Sequence, residues 1–148
     1  MPTNPNLGSE IVGPVVIKRY RNSAEKYLKN PDEAKQLLSK ALSKAGHIHK
    51  GSFVETWGQS QTLVRMLQAY IQGNYKRVPW QSLVMAMAAI VYFVTPIDFI
   101  PDFIIGLGLL EDVALLSWVV QSLYSDITKF QAWEIEQRQL QLSADGAG

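Results

Sequence analysis

Apolar residues recur at helical spacing along most of the chain, and no stretch shows the alternation typical of a β-strand. The second predicted helix has the clearest boundaries, because Asn30 is a common capping residue, Pro31 suits the first helical position and Gly46 favours termination. The pattern predicts three amphipathic helices in the first half of the chain, over residues 14–29, 31–45 and 53–72.

A helix with no polar face is predicted next, from Trp80 to Thr95. The segment 78–97 carries no charge, and a helix that is apolar all round is buried either in protein or in lipid. Thr95 precedes a proline, which disfavours helical geometry and places the end of the helix there. Small residues in this helix permit close approach of a neighbouring helix; they are Ala86, Ala88 and Ala89.

A turn with two X-Pro steps follows the apolar helix, and a second apolar arm begins at Phe103. A last long helix is expected to start around Leu110, and beyond Trp133 the chain becomes polar. The fold class predicted is all-α, a small helical bundle around a Pro-broken apolar helical hairpin. We divide the chain into a flexible leader, amphipathic helices, the hairpin region and a polar tail, at residues 1–13, 14–75, 76–135 and 136–148.

Charge is distributed unevenly along the 148 residues. Residues 1–77 hold 12 Lys/Arg against 5 Asp/Glu, whereas residues 78–148 hold 2 against 8. A basic half attracts anionic partners, so we expect binding to membrane lipid, with anionic head groups contacting the N-terminal half. The alternative is that the two halves neutralise each other within one domain. No nucleic-acid partner is expected, and protein partners are left open.

Cysteine is absent, which excludes disulfides, thiolate zinc sites and cysteine nucleophiles. The first residues lack the basic-then-apolar pattern of a secretory signal, so no export is expected. No Ser/His/Asp arrangement, phosphate-binding loop or metal-binding histidine pattern is present. The sequence therefore assigns no catalytic residue, no metal ligand and no cofactor.

Four carboxylates, which we name the acidic cluster, lie in the turn and at the start of the next element: Asp98, Asp102, Glu111 and Asp112. Asp98 and Asp102 are four residues apart and share a face if the turn is helical. Together the four side chains can hold Mg²⁺ or Ca²⁺ through oxygen ligands, or form an acid/base pair. The alternatives are helix capping and ion pairs, with Arg65, Lys76 or Arg77 as the basic partners.

The central stretch resembles the YkvA-like family, a domain of unknown function. The resemblance rests on Pro79-Trp80, on the run Tyr92-Phe-Val-Thr-Pro-Ile-Asp-Phe-Ile-Pro-Asp-Phe103, and on Gly108-Leu-Leu-Glu-Asp112. It covers roughly residues 63–125. Thr95 stands where the family usually has Ser, and Glu111 where it has Asp. A basic residue often found just after Pro-Trp is missing here.

The resemblance implies a helical hairpin and a membrane location, and it implies no reaction. Residues 79–95 are 17 in number, about 26 Å of helix against a hydrocarbon core of about 30 Å. In the second arm, Glu111 and Asp112 fall near the middle of the span and would need partners or water. Two interpretations stay open: a membrane hairpin, or a central helix buried in a soluble bundle and wrapped by the amphipathic helices.

The leading hypothesis is a non-enzymatic adaptor or structural element, integral to the membrane or tightly associated with it, with its N-terminal part facing the cytoplasm. The alternatives are a soluble helical binding module and a metal-dependent membrane enzyme that uses the acidic cluster. The hairpin interpretation also brings two basic and aromatic groups to the same side, as expected at a cytoplasmic interface. These are Tyr75, Lys76, Arg77 and Trp80 from one segment, and Tyr124, Lys129 and Trp133 from the other.

Overall fold

The structure is a computed structural model that describes residues 5–47, 51–94 and 115–146. Within these ranges the chain forms six helices and no strand, which confirms the predicted all-α class. The helices are α1 (Pro5–Lys29), α2 (Pro31–Gly46), α3 (Gly51–Ile71), α4 (Trp80–Val94), α5 (described over residues 115–122) and α6 (Tyr124–Gly146). The Pro-containing turn of the predicted hairpin lies outside the described residues.

Helix α4 is the axis of the bundle. Six of its side chains have no exposed surface at all: Ala86, Met87, Ala88, Ala89, Ile90 and Phe93. Helix α1 packs against it most extensively, and α2 and α3 cover further sides. The small residues of α4 thus meet a neighbouring helix, as predicted. Of the two surroundings open to an all-apolar helix, the structure shows burial among the amphipathic helices of the same chain.

No helix among the described residues is both long enough and apolar enough to cross a membrane. The transmembrane helix expected over residues 79–95 is therefore not borne out within the described part of this segment, which ends at residue 94.

Helix α1 differs from the prediction at its start. It begins at Pro5, so the predicted start at Pro14 is wrong, and residues 5–13 of the predicted flexible leader are helical. Gly13 accounts for part of the difference, because a Cβ atom there would overlap the ring of Trp118 on α5. This close approach ties the segment to the bundle. The predicted apolar face of α1 is confirmed by the burial of Val16, Ala24 and Leu28.

Helix α2 has almost the predicted bounds, but Asn30 does not act as predicted. It occupies the N-cap position without any side-chain capping hydrogen bond. Its backbone N–H donates to the Tyr27 carbonyl at 3.1 Å, and its own carbonyl accepts from Ala34 N–H at 2.9 Å. The backbone therefore joins α1 to α2 directly, with Pro31 at the start of α2.

The last long helix of the prediction is interrupted at Leu123, which separates α5 from α6. The interruption is small, since Leu123 N–H donates to the Val119 carbonyl at 2.9 Å and Ile127 N–H to the Leu123 carbonyl at 2.8 Å. Leu123 is buried. Helix α6 then continues to Gly146, so most of the predicted polar tail is helical.

Candidate functional site

The four residues of the acidic cluster, Asp98, Asp102, Glu111 and Asp112, lie outside the described residues. The capping, cation-binding and acid/base interpretations therefore all stay predictions. Elsewhere, over residues 5–47, 51–94 and 115–146, no group of three or more His, Asp or Glu side chains could hold a metal ion.

The C-terminal end of α4, which leads into the family-like motif, is enclosed by aromatic side chains. The ring of Tyr20 on α1 meets Tyr92 edge-on, with ring centroids 5.9 Å apart. The ring of Trp57 on α3 stacks on Phe93 at 5.4 Å. Two amphipathic helices thus fix the last turn of α4, and with it the direction in which the chain enters the motif.

Lys44 on α2 brings a positive charge to the same end of α4. Its ammonium group donates a hydrogen bond to the Phe93 carbonyl and lies 4.4 Å from the centroid of the Phe93 ring. A cation at a helix C-terminus interacts favourably with the helix dipole, and a cation over an aromatic face adds attraction. Lys44 is therefore positioned by α4 as well as by its own helix.

The sequence contained only a weak signal for this role. Lys44 lies in the last turn of α2, where a basic residue is explained by the dipole of α2 itself. Its contact with Phe93 joins residues 49 positions apart, and no local pattern indicates which helix a lysine will reach.

The solvent-exposed side of α1 is strongly basic. Its members recur at the spacing of one helical face and are all exposed: Val15, Lys18, Arg19, Asn22, Lys26 and Lys29. We name this set the basic face of α1. Glu25 borders it and pairs with Arg21 at 3.4 Å, so it neutralises a charge outside the set. The basic face of α1 contains four cations and no acid, which suits an extended anionic surface.

A cavity lies at the opposite end of α4, between the α3–α4 connection and α6. Its volume is about 280 Å³, and we name it the α6 cavity. Its lining consists of Tyr75, Arg77, Lys129, Ala132, Trp133 and Glu136. Four of the seven basic and aromatic residues that the hairpin interpretation placed on one side of the molecule are in this lining: Tyr75, Arg77, Lys129 and Trp133.

Hydrogen bonding and burial define the surroundings of the α6 cavity. Ser82 Oγ donates to Asp126 Oδ2 at 2.6 Å, which joins the start of α4 to the start of α6. Burial raises the pKa of the Tyr75 hydroxyl, nearby Arg77 opposes the change, and Asp126 adds to it. The hydroxyl therefore stays protonated at neutral pH and can donate a hydrogen bond.

Arg65 is one of the three residues considered as ion-pair partners of the acidic cluster. Within the described residues its guanidinium pairs with Glu134 on α6, with Nε–Oε2 at 2.9 Å and a second nitrogen 3.3 Å from Oε1. A two-pronged contact of this kind has the geometry that guanidinium and carboxylate groups favour. It joins α3 to α6 rather than marking a ligand site.

These features define a class of protein: an all-α bundle with a buried apolar axis, a closed aromatic end, an open basic end and a basic outer helix. The family described as "Protein of unknown function (DUF1232)" matches residues 82–118. A Bacillus subtilis (strain 168) protein named "Uncharacterized membrane protein YkvA" is 33% identical over 75 residues, which cover 51% of this chain and 71% of that protein.

The chain belongs to this DUF1232, or YkvA-like, family, as the motif around Pro96 and Pro101 predicted. The family match begins at Ser82 and ends at Trp118. No solved structure matches the chain. Most residues of the basic face, the aromatic end and the α6 cavity lie outside the matched segment, so the family description assigns them no role.

Proposed function

We propose that this protein is a membrane-associated, non-enzymatic helical protein whose basic face of α1 binds the surface of anionic bilayers. The observation that carries the proposal is the basic face itself, with four exposed cations on one side of one helix. The name of the Bacillus subtilis relative, a membrane protein, supports the same location. Helix α4 then serves as the packed axis that holds α1 in place.

The expected affinity is modest and depends on salt. Each Lys or Arg near an anionic leaflet contributes about 1 kcal/mol, and the attraction falls off within a Debye length of about 8 Å at physiological ionic strength. Four cations therefore contribute about 4 kcal/mol, which gives reversible binding. Val15, with 61% of its surface exposed, adds an apolar contact at the interface.

Co-sedimentation with vesicles tests the proposal. The parent protein should bind phosphatidylglycerol vesicles, release them as salt rises, and bind phosphatidylcholine vesicles much more weakly. Neutralising Lys18→Gln and Lys26→Gln together should weaken binding by roughly 30-fold, since two contributions of about 1 kcal/mol are lost.

The matched control is Lys35→Gln with Lys40→Gln, two exposed lysines of α2 whose loss changes the net charge equally. This variant should keep most of its vesicle binding. Equal losses in the two double variants would show that only net charge matters, and equal binding to both lipids would contradict the proposal outright.

Fractionation of expressing cells provides a second test. The protein should sediment with membranes at low ionic strength and leave them in an alkaline carbonate wash. Recovery of the parent protein in the low-salt supernatant would contradict membrane association.

The alternative, a helical binding module with a protein partner, has one observation in its favour. The far end of α6 exposes three large apolar side chains: Ile135, Leu140 and Leu142. Scattered apolar residues are common on protein surfaces, so we rank this alternative second.

A further inference from the structure

We propose that the α6 cavity binds a phosphate ester group, held by Arg77 and Lys129 beside the rings of Tyr75 and Trp133. The proposal deepens the proposed function and in its lipid form rests on it, because the head group of phosphatidic acid is a phosphate monoester. Soluble phosphate esters carry the same group, so the two sources are separated by experiment below.

Two of the lining residues, Tyr75 and Trp133, belong to an aromatic cluster. Gly73 ends α3 with a φ of 82°, a conformation that costs glycine little. The N–H groups of Asn74 and Tyr75 then both donate to the Ala69 carbonyl, at 2.9 and 3.2 Å. This turn places the Tyr75 ring 5.1 Å from Phe130 and 5.0 Å from Trp133, measured between centroids.

The charged groups of the lining favour an anion. Arg77 comes from the α3–α4 connection and Lys129 from α6, and neither forms an ion pair within the described part of the chain. Glu136 is the single carboxylate of the lining, so the cations are in excess. A guanidinium group binds phosphate through paired hydrogen bonds, and a lysine ammonium adds a point charge.

Size and charge together favour a phosphate ester over larger or singly charged ligands. A volume of about 280 Å³ lies just below the range of about 300–1,000 Å³ typical of small-molecule sites. A phosphate monoester carries a charge of about −1.5 to −2 at neutral pH. This charge balances two cations, whereas a ligand with one carboxylate would balance only one of them. The protonated Tyr75 hydroxyl can donate a further hydrogen bond.

The position of the cavity favours a lipid head group as the source of the phosphate. The Ser82–Asp126 hydrogen bond holds the starts of α4 and α6 together. Trp80 and Tyr124 therefore lie at this end of the bundle, and they expose 39% and 69% of their surfaces. Trp and Tyr are enriched where proteins meet the membrane–water interface.

The first experiment uses the ¹⁵N-labelled full-length protein and glycerol 3-phosphate as the probe. The four tryptophans give four indole N–H signals, and Trp133→Phe assigns the one at the cavity. That signal should shift and saturate as glycerol 3-phosphate is added at constant ionic strength. Sodium acetate at equal ionic strength should leave it in place.

Variants of the lining make the result specific. Arg77→Gln and Lys129→Gln should each weaken binding at least 10-fold, because each removes a charge-assisted contact. Glu136→Gln should tighten it several-fold by removing the negative charge. Lys76→Gln is the matched control, since Lys76 is an exposed neighbour that does not line the cavity. An unmoved Trp133 signal, equal effects of Lys76→Gln and Arg77→Gln, or an equal response to acetate would overturn the proposal.

The second experiment identifies the source, with vesicles that contain phosphatidic acid. If the ligand is a head group, Arg77→Gln should reduce vesicle binding more than Lys76→Gln, and glycerol 3-phosphate should compete. If the ligand is soluble, the Trp133 response persists while vesicle binding is indifferent to Arg77→Gln. The Lys18→Gln, Lys26→Gln variant should bind vesicles weakly but bind glycerol 3-phosphate as the parent protein does. The two measurements therefore distinguish a failure of the proposed function from a failure of the cavity proposal.

Discussion

The two ends of α4 differ in packing: side chains fill the C-terminal end, whereas a cavity lies at the N-terminal end. At the C-terminal end, Tyr20, Lys44 and Trp57 arrive from three different helices and contact Tyr92 or Phe93. At the N-terminal end, the α3–α4 connection and α6 leave a cavity whose lining carries two cations that form no ion pair with any described residue. The first end is filled by side chains of the chain itself, whereas the second has the composition of a site for a ligand.

The difference suggests different roles for the two ends, stability for the C-terminal end and binding for the N-terminal end. A filled aromatic end removes apolar surface from water and sets the direction of the chain that follows, which is a structural task. An open end with Arg77 and Lys129 retains charge at the cost of packing. The family match covers most of α4 but not these two residues, so the proposed phosphate ester site does not rest on the family description.

The largest expected effect comes from breaking the closed end. Phe93→Ala should lower the free energy of unfolding by about 3–5 kcal/mol, because it removes a fully buried ring and leaves a cavity. Trp133→Ala at the open end should cost only about 1–2 kcal/mol, since that ring is partly exposed. Urea denaturation followed by circular dichroism measures both. Equal losses would mean that the two ends do not differ in packing.

A glycine pair tests the contact between α1 and α5 that lies beside the axis. Gly13→Ala should destabilise the protein by about 1–3 kcal/mol, because the new methyl group overlaps the rigid Trp118 ring. Gly58→Ala, in α3 with open space around it, should instead stabilise by about 0.5–1 kcal/mol through reduced backbone entropy. Thermal unfolding of the two variants should therefore shift in opposite directions, and a shift in the same direction would contradict the close approach.

Lys44 provides a test of charge at the closed end. Lys44→Met keeps the apolar stem but removes the ammonium group from the Phe93 carbonyl and ring, which should cost about 1–2 kcal/mol. Lys40→Met, at an exposed position of the same helix, should change the free energy of unfolding by less than about 0.5 kcal/mol. Chemical denaturation at neutral pH gives both values. A loss as small for Lys44 as for Lys40 would remove its positioning role.

The smallest effect concerns pH at the open end. The pKa of Tyr75 is raised above its ordinary value of 10.0 by burial, so above that pH the unfolded chain ionises before the folded protein. The contribution of Tyr75 is fully present below pH 10 and is lost as pH rises through the folded-state pKa. Above pH 10 the free energy of unfolding of the Tyr75→Phe variant should therefore fall less steeply with pH than that of the parent protein. Chemical denaturation of both proteins over a range of pH measures the difference. Parallel profiles would show that Tyr75 is not buried in this way.

Local patterns predicted the helices well where one face meets the core. The existence of α1, α2 and α3 follows from apolar spacing, because burial on one side imposes the 3.6-residue period. The bounds of α2 follow from the Pro and Gly at its ends. Helix ends were predicted less well. Pro14 lies within α1 rather than at its start, because the Gly13–Trp118 contact extends the packing beyond a residue that locally suits a first turn.

The contacts of the candidate sites were also predicted only in part. The predicted basic half contains the basic face of α1. Four of the residues that the hairpin interpretation placed on one side line a common cavity: Tyr75, Arg77, Lys129 and Trp133. No local pattern in the sequence indicated that Arg65 pairs with Glu134, and only a weak one indicated the contact of Lys44 with Phe93. Both contacts join residues far apart in the chain, and long flexible side chains can meet many partners before the helices are packed.

What the sequence by itself determined is the set of parts: an all-α chain, an apolar helix predicted over residues 80–95, a basic first half and membership of the YkvA-like family. These follow from periodicity, composition and a local motif, which are properties of neighbouring residues. Only the tertiary structure decided that α1, α2 and α3 of the same chain surround that axis, that one of its ends is filled and that the other holds a cavity. The physical reason is that an apolar helix requires burial but does not specify its surroundings; complementary packing of distant helices selects them.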